Sequence, residues 1–168
     1  MEKTQKELSY SNWIYEFRSV LPFLGHRNWI LIVDKAFPLQ SASGMRYMDT
    51  KQELLPTIKD VLTEINENAP HLKPIIYSDL ELNYITEDMI EGIGDFRHNL
   101  DSMFQEYPIQ TLLHEEVFSR LDEASKLFEV VVLKTETTIP YTSIFVELDC
   151  GYWTDDKEEQ LRQNMKRD

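Results

Sequence analysis

The sequence predicts an α/β protein: three layers, α/β/α, around a mixed, mostly parallel sheet of about six strands. Three observations predict it. Short apolar runs alternate along the chain with longer stretches whose apolar residues recur at helical spacing. The run Trp29-Ile30-Leu31-Ile32-Val33 is apolar at every position, the pattern of a strand buried on both faces, as parallel sheets use. The 168 residues suffice for one domain with a full core, and their apolar fraction of 42% is that of an ordinary globular chain.

The elements follow in order. Trp13, Ile14, Phe17, Val20, Leu21 and Leu24 form a helical stripe over residues 11–24. Pro22 removes a backbone donor near its end, and Gly25 suits a helix stop. The strand at 29–33 ends on Asp34, and residues 44–48 predict a short second strand. Thr50 and Glu53 have the spacing of a capping box. They precede the clearest helix, where Leu54, Leu55, Ile58, Val61, Leu62 and Ile65 share one face. Residues 74–77 predict a strand. A helix follows from about Thr86 to Phe104, weakened by Gly92 and Gly94. Residues 109–113 predict another strand, and 115–127 a helix with Glu115 and Glu116 at its positive end. Residues 130–133 and 144–146 complete the strands. Residues 1–154 thus read as one domain. Residues 155–168, charged and nearly free of apolar side chains, read as a C-terminal tail, a solvated helix or a frayed end.

Composition excludes several functions. Thirty acidic residues face 17 Lys and Arg, a net charge of −13. Such a chain repels phosphate backbones and anionic lipid, so neither nucleic acid nor a membrane is an expected partner. No stretch is apolar enough to span a bilayer, and the first residues lack a signal core. The single cysteine, Cys150, permits no intrachain disulfide and reads as a packed thiol. A cytoplasmic protein is expected. The five glycines form neither a phosphate loop nor a dinucleotide fingerprint. Cys-x-x-Cys and His-Glu-x-x-His are absent from the sequence. No cofactor and no metal are expected.

A few residues sit where chemistry is done. Asp34 closes an apolar strand, and open α/β sheets collect ligands beyond the carboxyl ends of strands, although a turn aspartate would sit there too. His26 follows Gly25 at a helix-to-strand junction. His114 stands at a strand-to-helix junction, where a cap is the simpler role. Tyr141 follows Pro140 before a strand. His71 and His98 carry no signal. His26, Asp34 and His114 are all metal-ligand types, which leaves a small metal-dependent hydrolase as a rival reading.

Together these residues resemble the D-ribose pyranase / L-fucose mutarotase (RbsD/FucU) family over roughly residues 15–152. The first carrying segment is Gly25-His26, a short apolar strand, Asp34 and Pro38. The second is His114-Glu115 before the penultimate helix, and the third is Pro140-Tyr141-Thr142-Ser143 before the final strand. The resemblance implies a cofactor-free isomerase that interconverts cyclic forms of a free monosaccharide such as ribose or fucose. It implies His26 as catalytic acid/base, with Asp34, His114 and Tyr141 holding the sugar. Ser143 stands where the family has Asn, and Lys35 where a small Ala is usual; both are expected to change contacts to sugar hydroxyls. The main alternative is a non-catalytic sugar-binding or sensing protein of the same fold.

The chemistry suits these residues. A cyclic sugar is a hemiacetal, and opening it takes a proton from the anomeric hydroxyl and gives one to the ring oxygen. A histidine titrating near neutrality can do both, and positioned acid–base catalysis contributes roughly 10²–10⁴-fold. One geometric problem remains. His26 precedes the strand at 29–33 and Asp34 follows it, and five strand residues rise roughly 16 Å. The strand is misassigned, or the two residues serve different sites, or one site draws them from two protomers. The third is expected, and it agrees with the ring-shaped homo-oligomers, with sites at subunit junctions, that the resemblance implies.

Overall fold

The computed structural model describes residues 5–167; Met1–Thr4 and Asp168 lie outside them. Among the described residues, five α-helices and six strands follow in order: α1 (Gln5–Val20), β1 (Trp29–Val33), β2 (Met45–Asp49), α2 (Leu54–Asn68), β3 (Leu72–Asp79), α3 (Ile93–Met103), β4 (Ile109–Leu112), α4 (His114–Ala124), β5 (Val130–Lys134), β6 (Ile144–Cys150) and α5 (Asp155–Met165). The strands form one sheet in the order β2-β5-β1-β6-β3-β4. The pairs β2–β5, β5–β1 and β3–β4 are parallel, while β6 runs antiparallel to both β1 and β3. One strand is therefore reversed and five share a direction.

Strand side chains alternate between the two faces, and the core divides accordingly. Ile30, Ile32, Val131, Leu133, Val146 and Ile76 meet Trp13 and Phe17 of α1, Ile58 and Val61 of α2, and Ile93 and Leu100 of α3. Trp29, Leu31, Val33, Val130, Val132 and Phe145 meet Val117 and Leu121 of α4. Every residue of β1 is buried, because it lies inside the sheet with helices on both sides. The expected three layers are present.

Several boundaries differ from expectation. The first helix ends at Val20, and Leu21–Phe23 tighten into a 3₁₀ turn around Pro22, which cannot donate to the α-helical ladder. The helix expected from Thr86 begins only at Ile93. Leu80–Tyr84 form a 3₁₀ turn, and Gly92 takes a left-handed φ of 84° immediately before α3, a conformation glycine adopts without steric cost. Thr50 does not cap α2. Its hydroxyl donates to the Lys134 carbonyl, and the Leu54 amide is met instead by Thr137 Oγ1 at 2.8 Å. The last segment is a helix, α5, that buries none of its residues.

Candidate functional site

Because β6 alone is reversed, its first residues meet the last residues of its neighbours. Ile144 pairs with Ile32 of β1 on one side and with Ser78 of β3 on the other. The loops after β1, β3 and β4 and the loop before β6 therefore open at one pole of the sheet. They bring Asp34, Asp79, His114 and Tyr141 together from four separate stretches of chain.

Asp34 leaves β1 on a turn closed by its carbonyl accepting from the Phe37 amide at 3.2 Å. Ser143 fixes it twice: the Asp34 amide donates to Ser143 Oγ at 3.2 Å, and that hydroxyl donates to Asp34 Oδ1 at 3.0 Å. Ser143 is 2% exposed, so it orients Asp34 rather than facing solvent. Lys35 turns the other way, with its ammonium on Glu136 at 3.1 Å.

His114 opens α4, and its backbone amide donates to both carboxylate oxygens of Glu81 at 3.0 and 3.1 Å. A carboxylate at a helix N-terminus satisfies an orphan donor and suits the dipole. Glu116 Oε2 accepts from the Leu113 amide in the same turn, the favourable placement expected of the acidic pair. The imidazole Nδ1 lies 2.9 Å from Asp79 Oδ2. An ionised carboxylate only accepts, so against the ionised form of Asp79 it is Nδ1 that donates. The ring packs 4.5 Å from Phe118 and 5.5 Å from Tyr141, the latter edge-on at 88°.

Asp79 is 1% exposed. Burial pushes its carboxyl up to about 6; the His114 hydrogen bond and charge oppose this, and the nearby Glu81 and Asp34 carboxylates reinforce it. Tyr141 holds a left-handed φ of 60°, a region costly for a residue with a bulky side chain and frequent at functional sites.

Asp34, Ala36, Phe37, Pro38, His114, Phe118, Pro140 and Tyr141 enclose a cavity of about 240 Å³. That is below the roughly 300–1,000 Å³ of drug-sized ligand sites, so the cavity suits a small molecule. Its walls offer aromatic faces beside a carboxylate and an imidazole. A larger groove of about 610 Å³ lies elsewhere, along Arg27, Trp29, Arg120, Leu127 and Phe128. It is mostly apolar, with Glu123 and Glu147 beside Arg27 and Arg120 in its lining.

His26 is at the opposite pole. Its Nδ1 lies 3.0 Å from Asp149 Oδ1 near the end of β6, and its side chain is 61% exposed. The residue after it, Arg27, also has a left-handed φ, 76°. With all of β1 between them, His26 and Asp34 of one chain cannot reach one small ligand. They cannot share one ion with His114 either, and among the described residues no group of three or more His, Cys, Asp or Glu is placed to hold a metal.

No family model and no curated protein matches the sequence. Solved structures do match. Bacillus subtilis RbsD, complexed with D-ribose, superposes with a TM-score of 0.54 at 21% identity, over 83% of this chain and 93% of that one. The chain has the fold of RbsD. The Streptococcus pneumoniae fucose mutarotase, in complex with L-fucose, covers 80% of this chain and 91% of its own at 22% identity and a TM-score of 0.49. FucU from Bifidobacterium longum covers 80% and 94% at 18% identity and a TM-score of 0.46. The α/β expectation and its RbsD-like topology therefore hold.

Asp79 and Glu81 escaped the sequence reading, yet a signal existed. Asp79 ends the run Ile75-Ile76-Tyr77-Ser78 as Asp34 ends β1. The rule applied to one strand end identifies both.

Proposed function

We propose that this protein opens and recloses the ring of a free monosaccharide, as a cofactor-free isomerase. One observation carries the reading: His114, held from behind by Asp79, and Asp34 line a single small cavity with aromatic walls. The RbsD fold, seen elsewhere with D-ribose bound, supports it. Sugars offer hydroxyls that donate to carboxylates and C–H faces that pack on aromatic rings, and this cavity presents both counterparts.

Ring opening moves two protons. His114 Nε2 takes the anomeric hydroxyl proton as the bond from the anomeric carbon to the ring oxygen breaks. An aldehyde forms, and the ring oxygen receives a proton from a second acid. Reclosure through another hydroxyl, or onto the other face, reverses both transfers. Nothing is oxidised, so the chemistry calls for no cofactor. Asp34 holds a sugar hydroxyl, and Tyr141 closes the cavity beside His114. His26 is the second acid/base, and it reaches the site only from a neighbouring copy in a ring-shaped homo-oligomer. The apolar groove beside Arg27 gives that neighbour a seat.

Saturation-transfer NMR on free ribose, fucose and other common monosaccharides, with and without chelator, tests the proposal. The expected result is faster exchange between cyclic forms, unaffected by chelator. Sugar-dependent shifts of protein resonances without faster exchange would replace the isomerase with a sugar-binding protein. Exchange that chelator abolishes would mean metal-assisted chemistry instead.

A further inference from the structure

We propose that Asp79 is a positioning residue: it holds His114 in the Nδ1–H tautomer and turns the Nε2 lone pair toward the cavity. The inference deepens the isomerase reading in its kinetic consequences and stands apart from it in its tautomer.

The geometry is specific. His114 is fixed on every side but one. Its amide is held by Glu81 at 3.0 and 3.1 Å, its ring faces pack on Phe118 and Tyr141, and Nδ1 is held by Asp79 at 2.9 Å. The remaining nitrogen, Nε2, has no protein partner among the described residues, and the side chain is 36% exposed where it lines the cavity.

Asp79 is a poor choice for stability. It is almost fully buried, and its Oδ1 is a buried oxygen with no partner among the described residues. Burying an acid with half its oxygens unsatisfied costs free energy. An apolar residue at the end of β3 would serve the core better. What Asp79 does accomplish is local. A carboxylate accepting from Nδ1–H forces the tautomer with a basic Nε2. It also stabilises the imidazolium that forms when Nε2 takes a proton. The other charged groups that act on Asp79 are the Glu81 and Asp34 carboxylates.

The two roles predict opposite results for Asp79→Asn. A structural carboxylate would be missed, and the variant would lose stability. A positioning carboxylate would leave stability equal or higher while the ring loses its tautomer, because a carboxamide N–H can donate to Nδ1. The experiment is ¹⁵N NMR of the His114 ring in the unliganded full chain and in Asp79→Asn, with ring-exchange kinetics on both. The expected result is a protonated Nδ1 and bare Nε2 in the parent, with the opposite tautomer populated in the variant. kcat should fall about 100-fold with KM within threefold, and Asp79→Glu should restore part of it. A parent ring protonated on Nε2, or a variant that keeps both tautomer and rate, overturns the inference. If the parent exchanges no sugar, the isomerase reading fails by itself, and the tautomer comparison still decides the role of Asp79.

Discussion

Ser143 shows how one hydroxyl can serve a site it never touches. It accepts from the Asp34 amide and donates to the Asp34 carboxylate, so it aims the carboxylate from behind. Ser143→Ala should cost about 1 kcal/mol, the net worth of a lost hydrogen bond with partial rehydration of its partner. Urea unfolding measures this, and sugar affinity measured by titration should fall several-fold as Asp34 loosens. Asp79 predicts a pH signature. Its folded carboxyl titrates at about 6, above the ordinary 3.8. Between those values the folded state holds a proton that the unfolded state has released, so this group's contribution to stability falls as pH rises from about 4 to 6. The stability of Asp79→Asn relative to the parent should therefore rise over that interval, by on the order of 2 kcal/mol. Urea midpoints for both proteins at pH 4, 5, 6 and 7 check it. A difference that is flat with pH would show that Asp79 is not held protonated by its surroundings.

At the scale of elements, the loop from Thr135 to Ser143 joins the helix layer to the site. Thr137 Oγ1 accepts from the Leu54 amide at 2.8 Å and donates to Glu53 Oε2 at 2.5 Å. It thereby caps α2 from 83 residues away in sequence. Thr142 Oγ1 donates to the Ile139 carbonyl at 2.8 Å, closing the turn that carries Tyr141 in its left-handed conformation. Thr137→Val keeps the shape and removes the cap. It should destabilise the fold by about 1–2 kcal/mol and broaden the Tyr141 ring resonances as the loop loosens. Sharp, unshifted Tyr141 signals in that variant would uncouple the loop from α2. The helix α5 makes the opposite case. Its N-cap is sound, with Thr154 Oγ1 accepting from the Lys157 amide at 3.2 Å, and Glu158 ties Trp153 to Arg162. Yet it buries nothing. Deleting residues 155–168 should leave the unfolding free energy, measured by urea titration, within about 0.5 kcal/mol of the parent.

For the whole molecule, the decisive feature is polarity along the strands. One pole carries the cavity with its carboxylates. The other carries exposed His26, with Leu127, 81% exposed, in the apolar groove beside Arg27. A surface that is apolar at one end and cavity-bearing at the other suits head-to-tail association, which closes into rings. His26→Ala and Asp34→Ala, each inactive alone, should regain part of the activity after dissociation and reassembly together, because some junctions then receive both intact residues. Ring exchange in verified mixed oligomers reads this out. No recovery removes His26 from the Asp34 site, and a well-folded active monomer refutes the arrangement outright.

The sequence by itself determined the layers. A strand buried on both faces must be apolar at every position, and a helix on a sheet must show a stripe, so β1 and α2 were legible from periodicity alone. It also set the expectation that His26 and Asp34 flank one strand, and the structure confirmed that strand at Trp29–Val33. Boundaries set by turns were less legible. The start of α3 depends on a left-handed glycine, and the cap of α2 on a threonine from a remote loop. Only the tertiary structure decided the site. That β6 runs backwards, and so delivers Tyr141 and Ser143 to the ends of β1 and β3, is a matter of strand pairing between residues more than 60 apart. That Asp79 meets His114 depends on β3 lying beside β4. Local pattern encodes which residues are buried. Which buried residues become neighbours is settled by the packing of the whole chain.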